Sequence, residues 1–151
     1  MNIIVCVNDK FGISFMGRRV SRDRYVIEDI LRTVKDGKLL IHPDSLSLFS
    51  DFKDEVTADE NYLDMAQSGE YCFVEKSDYE EFSSNIESVI IYKWNRSYPA
   101  DLFFDTDILG DKTPVKTYKF EGHSHKNIIK EPLRHFLKNR DEGVVFYVEN
   151  G

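Results

Sequence analysis

Ile3–Val7 reads IIVCV, an unbroken apolar run that stops at NDKFG, Asn8–Gly12. A strand with one wet face alternates apolar and polar residues, so a continuous run predicts a strand covered on both faces and central in a sheet. The run SVIIY, Ser88–Tyr92, makes the same demand. Two such strands need a layer above and a layer below, the arrangement of an α/β domain.

Between the two runs, Val26, Ile27, Ile30, Leu31 and Val34 repeat at helical spacing, with Ser21 as the N-cap residue and Gly37 as the stop. KLLIH (Lys38–His42) predicts a second strand, and Pro43 opens a short helix in PDSLSLF. ADENYLDMAQ predicts a weak helix closed by Gly69, and YCFVE (Tyr71–Glu75) a strand. In SDYEEF, Ser77 and Glu80 have capping-box spacing. Beyond SVIIY, DLFFD (Asp101–Asp105) is extended, and VKTYKFEG and GVVFYVE alternate as antiparallel strands should. KNIIKEPLRHFLKN, 126–139, predicts a helix, with Pro132 at its start or at a kink. The order predicts three layers around a mixed central sheet with antiparallel strands at the C-terminal end.

At 151 residues and 41% apolar content, residues 1–151 fit a single globular domain. A net charge of −7 and a pI of 5.1 argue against a long nucleic-acid partner, whose phosphates need clustered Lys and Arg. Cys6 and Cys72 lie inside apolar runs, where a reduced buried thiol is the usual occupant, so a cytoplasmic location is expected. MNIIVCVNDK lacks a basic leader region and no segment approaches about 18 consecutive apolar residues, so neither export nor a membrane is expected.

The run SVIIY continues into KWNRSYPAD, a crowd of chemistry at a strand end. Trp94 and Tyr98 offer stacking surface, Arg96 a planar cation, Asn95 an amide and Asp101 a carboxylate to orient Arg96. If strand alternation continued, Trp94 and Arg96 would share a face and form a floor for an anionic aromatic ligand. The same residues also suit a plain strand terminus. Carboxyl ends of strands are where ligands sit in open α/β sheets, which adds Glu75. In SRDRYVIED, Arg22 could hold an anion and Asp23 a polar edge, or both could simply dress a helix N-terminus. In GHSHKN, His125 could move a proton.

Glu70–Asp105 resembles the dihydrofolate reductase pattern: a strand, a short helix, then a strand leading to an acidic residue and Phe. IIVCVNDKFGI, the helix, GKLLI, VKTYKFEG and GVVFYVEN follow in the order that fold requires. The resemblance implies a dihydrofolate-reductase-like fold, but its chemistry departs in two places. Where the family holds cofactor phosphates with Gly-Arg-x-Thr, this chain reads HPDSL, keeping only Ser45 as a hydroxyl. Where the family has a glycine pair, this chain has Glu75 and Lys76, which place side chains across the cofactor's path. Neither NADPH nor folate is expected, and no cofactor is assigned. The family's helix carboxylate falls near Ile27 and Glu28, with Asp23 about one turn earlier.

SRDR, YCFVE, YKWNRSYPAD and GHSH are also similar to motifs of small bacterial and mobile-element proteins, some of them labelled ribonuclease Z. That label implies a dizinc HxHxDH site. Here His123 and His125 are followed by Asn127 and Ile128, and only His42 and His135 stand elsewhere, so no dizinc site is expected. His123 and His125 could hold a single metal but read more readily as unrelated surface histidines, and no metal is assigned. Two functions stay open. One is a domain that binds, or also transforms, a small anionic or nucleotide-like ligand through Arg22, Asp23, Glu75, Trp94, Asn95, Arg96, Tyr98, Asp101 and His125. The other is an acidic interaction protein of mobile-element or phage origin acting on a host protein.

Overall fold

β1 (Asn2–Val7) runs parallel to β6 (Tyr71–Phe73) on one side and to β7 (Ser88–Lys93) on the other, so both continuous apolar runs lie inside the sheet. The computed structural model describes residues 1–35 and 37–134. Beyond β6 come β4 (Leu39–Ile41) and β5 (Val56–Ala58), all parallel. On the far side of β7, β11 (Ile128–Arg134) is antiparallel and carries β10 (Tyr118–Phe120) and β9 (Thr113–Pro114). A small second sheet joins β2 (Gly12–Phe15), β3 (Arg18–Arg19) and β8 (Leu102–Phe103).

Pleating sends alternate residues of β1 to opposite faces. Ile3, Val5 and Val7 pack with Val89, Ile91, Tyr79 and Phe104, while Ile4 packs with Ile90, Phe73 and the helix side chains Val26, Ile27 and Ile30. α1 (Arg24–Val34) and the 3-10 segment Pro43–Glu55 cover the second face. α2 (Tyr62–Met65) and the 3-10 segments Asp78–Asn85 and Thr106–Leu109 lie on the first. The molecule is therefore the three-layer α/β domain with a mixed sheet that the runs predict. Fully burying each of Val26, Ile27 and Ile30 contributes about 1.5–3 kcal/mol, which is what fastens α1 to the sheet.

Three local expectations are corrected. The helix expected from Lys126 is strand β11 over Ile128–Arg134. Its alternate residues Ile128, Lys130 and Pro132 are buried, so the period is 2, and the odd member Lys130 is accommodated by a carboxylate on α1. The cap of α1 is Asp23, whose side chain accepts from Tyr25 N–H, and not Ser21. Ser77 precedes a 3-10 segment without making any side-chain cap. The strand GVVFYVE and His135 lie outside the described residues.

Among the described residues no helix is long and apolar enough to cross a membrane. Both cysteines are free thiols, and burial pushes the Cys72 thiol up to about 12.

Candidate functional site

Because β1, β4, β6 and β7 are parallel, their C-terminal ends share one edge of the sheet, and the segments leaving them build the site. Glu75 follows β6 and meets Arg19 of β3 through two bonds of 2.7 and 2.9 Å. Ser45, at the start of the segment after β4, donates to the same carboxylate at 2.7 Å. Lys76 pairs with Asp44 at 2.6 Å. These residues, with Ser14, Arg18, Arg22, Ser47 and Leu102, line a cleft of about 660 Å³. Arg18 and Arg22 are exposed and have no ion pair or hydrogen bond from their side chains among the described residues. Cys6 does not line this cleft, and desolvation, reinforced by Glu75, pushes its thiol far up.

Arg22 and Ser47 also border a second cleft of about 330 Å³, walled by Ile27, Leu48 and Phe52 and closed by His123 and Ser124. The two clefts thus share Arg22: the first carries cations, hydroxyls and the carboxylates of Asp44 and Glu75, and the second sets its apolar wall beside Arg24, Ser50 and Asp51.

Behind Arg22 lies a denser construction. Asp23, 3% exposed, accepts the backbone N–H groups of Tyr25 (2.9 Å), His123 (2.8 Å), Ser124 (2.8 Å) and His125 (3.1 Å). Gly122 permits the wrap, since a Cβ there would lie 2.6 Å from Asp23 Oδ2. Burial by itself would raise the Asp23 carboxyl. The hydrogen bonds from His123, Ser124, His125 and Tyr25 outweigh it and hold the group well below the usual carboxylate range.

The same Oδ2 lies 2.9 Å from His125 Nδ1. A carboxylate on that nitrogen places the proton on Nδ1 and leaves Nε2 as an acceptor. Nε2 has two hydroxyls on it, Ser21 Oγ at 2.7 Å and Tyr98 at 3.1 Å. Trp94 packs over the ring, with centroids 4.8 Å apart. His125 and Trp94 are 7% and 2% exposed, and Trp94 Nε1 has no hydrogen-bond partner among the described residues.

The sequence-derived residues therefore divide. Arg22 and Glu75 line the cleft of about 660 Å³, while Asp23, His125 and Trp94 form one buried cluster beside it, with the half-buried Tyr98 at its edge. Asn95 and Arg96 are exposed and line none of the clefts described above. Asp101 braces the hairpin between β2 and β3 by accepting Met16 N–H at 3.1 Å, and it makes no ion pair with Arg96. The floor of Trp94 and Arg96 does not form. Asn95 has φ of 59°, in the left-handed region, so strand alternation ends there and Trp94 turns inward while Arg96 stays in solvent.

Ser21, Arg18 and Gly122 join the site although the sequence did not point to them there. One signal was available for Ser21: it stands two residues before Asp23, whose backbone is extended, a spacing that can bring two side chains to one side. His123 and His125 do not act together, since His123 is exposed with its edge on Tyr25 and both nitrogens of His125 have protein partners. Among the described residues, no group of His, Cys, Asp and Glu is placed to hold a metal ion.

Comparison with protein-family models and with curated protein sequences returns no match. Among solved structures, the chain is similar to dihydrofolate reductase from Enterococcus faecalis complexed with NADP(H) and RAB-propyl. The TM-score is 0.65 over 88% of this chain and 94% of that one, with 9% of residues identical. At that identity the likeness extends to the backbone path alone, and the fold is dihydrofolate-reductase-like.

Proposed function

We propose that the chain binds a small anionic, nucleotide-like ligand at the carboxyl edge of its sheet. The observation that carries this is the pair of unpartnered guanidinium groups, Arg18 and Arg22, facing a cleft in a chain of net charge −7. Guanidinium groups left without carboxylates are ready to take a phosphate or carboxylate bidentately. Ser14, Ser45 and Ser47 add hydroxyls, and the adjoining wall of Ile27, Leu48 and Phe52 suits a planar ring.

The test is calorimetric titration with inorganic phosphate and a panel of nucleoside mono- and diphosphates. Arg18→Ala and Arg22→Ala should each weaken the best binder about tenfold or more, since a charge-assisted hydrogen bond contributes about 1.5–3 kcal/mol. Melting temperature should stay unchanged, because neither side chain has a partner to lose among the described residues. Wild-type protein that takes up none of the panel, or binding indifferent to both substitutions, overturns the proposal.

NADPH is expected to be refused. Glu75, held by Arg19 and Ser45, fills with a fixed side chain the strand end where the resemblance places a glycine pair for the cofactor's path. Saturable enhancement of NADPH fluorescence at micromolar concentration would show otherwise.

A second proposal, the acidic interaction protein of mobile-element or phage origin, is favoured by one observation. Phe15, Met16 and Phe103 are 42%, 76% and 47% exposed on the small sheet and its hairpin, more apolar surface than a solvated edge needs.

A further inference from the structure

Ser21, His125 and Asp23 stand in a line: Oγ to Nε2 at 2.7 Å, and Nδ1 to Oδ2 at 2.9 Å. A base bonded to a hydroxyl, itself oriented by a buried carboxylate, is the arrangement that activates serine as a nucleophile, whatever fold carries it. We propose that this line catalyses acyl transfer to water, acting on an ester or similarly activated acyl group that bears a negative charge. The charge of the substrate rests on the anion-binding proposal, whereas the chemistry does not.

Asp23 suits the positioning role because its hydrogen bonds keep it ionised and fix its orientation, so His125 is held in the tautomer that can accept a proton. Ser21 is half-buried and borders a void of about 10 Å³ that it shares with Arg22, Asp23, Trp94 and Glu75. Arg22 connects this void to the anion cleft. Trp94 lines the same void, and its buried indole N–H has no acceptor among the described residues.

In the first step Ser21 Oγ bonds to the acyl carbon while its proton passes to His125 Nε2, and the carbonyl oxygen becomes the oxyanion. Collapse breaks the bond to the leaving alkoxide, which takes that proton and departs as the alcohol. Tyr98 stays on Nε2 while Ser21 carries the acyl group. Water then gives a proton to Nε2 and attacks the acyl-serine. The acid leaves and the Ser21 hydroxyl returns, so ester and water become acid and alcohol.

The experiment treats the full chain with a fluorophosphonate and locates the adduct by peptide mass, beside turnover of p-nitrophenyl acetate and p-nitrophenyl hemisuccinate. One adduct is expected, on Ser21, in native protein, and none on Ser21 in urea. Ser21→Ala removes one of the two hydroxyls on His125 Nε2 and leaves Tyr98 there, so it should melt close to wild type, and it should lower kcat/KM by about 10³-fold or more. In Asp23→Asn the side-chain amide can donate to Nδ1 and drive His125 to the wrong tautomer. Variant protein that still folds should therefore lose kcat with KM little changed. No adduct on Ser21 of folded protein, or equal turnover by Ser21→Ala, overturns the proposal. If Ser21 reacts but the hemisuccinate holds no advantage that Arg22→Ala removes, the catalytic line stands and the anion cleft is what fails.

Discussion

Asp29→Ala is expected to lower stability by about 3–5 kcal/mol, the cost of taking the carboxylate away from a buried ammonium. The ammonium is that of Lys130, 1% exposed on β11, with Nζ 2.9 Å from Asp29 Oδ2 and 2.9 Å from Thr33 Oγ1. Tyr92 and Tyr118 flank the ammonium at 5.7 and 5.5 Å, and the Tyr92 hydroxyl donates to the same Asp29 oxygen at 2.6 Å. The cluster spans α1, β7 and β11, so its loss reaches both the helix layer and the sheet. For a domain of this size the effect amounts to a melting temperature lower by roughly 10 °C. Removing the whole cluster as Asp29→Leu, Lys130→Met and Tyr92→Phe should restore most of the loss, because apolar replacement of a buried ion pair is often neutral. Thermal and urea melts decide it, and a single variant costing under about 1 kcal/mol would mean the ammonium is not held by Asp29.

Asp23→Ala should cost about 3 kcal/mol or more, from one lost N-cap and further backbone donors left buried. It also carries a pH signature. The folded carboxyl lies below its unfolded value of about 4. Its contribution is therefore complete above that value and is lost as pH falls through the folded one. The gap in stability between wild type and Asp23→Ala should be widest near neutrality and close in acid. Gly122→Ala drives a methyl into the same carboxylate, so it should be costly in the wild type and milder in the Asp23→Ala background. A gap independent of pH would place the stabilising bonds elsewhere.

Much of the architecture was legible because burial on both faces leaves an unmistakable mark: no polar residue interrupts Ile3–Val7 or Val89–Ile91. β11 was misjudged for the same physical reason in reverse. Lys130 and Glu131 break its apolar pattern, and only the tertiary contact with Asp29 explains how an ammonium can lie inside. The main cleft was half legible, through Arg22 and Glu75 at a strand end. The line from Ser21 to His125 was not, since the two are 104 residues apart and only the fold brings them to 2.7 Å. Trp94 and Arg96 were paired by a period that one left-handed residue, Asn95, interrupts.

The packing of Trp94 on His125 has an optical consequence. The chain contains one tryptophan, and it lies buried with its ring 4.8 Å from the imidazole. Its intrinsic emission is thus a built-in spectroscopic gauge of that histidine's surroundings, uncontaminated by any other indole. Acylation of Ser21, protonation of the imidazole or an anion drawing Arg22 inward would each alter the quenching of this single fluorophore, and stopped-flow photometry could follow them on unlabelled protein.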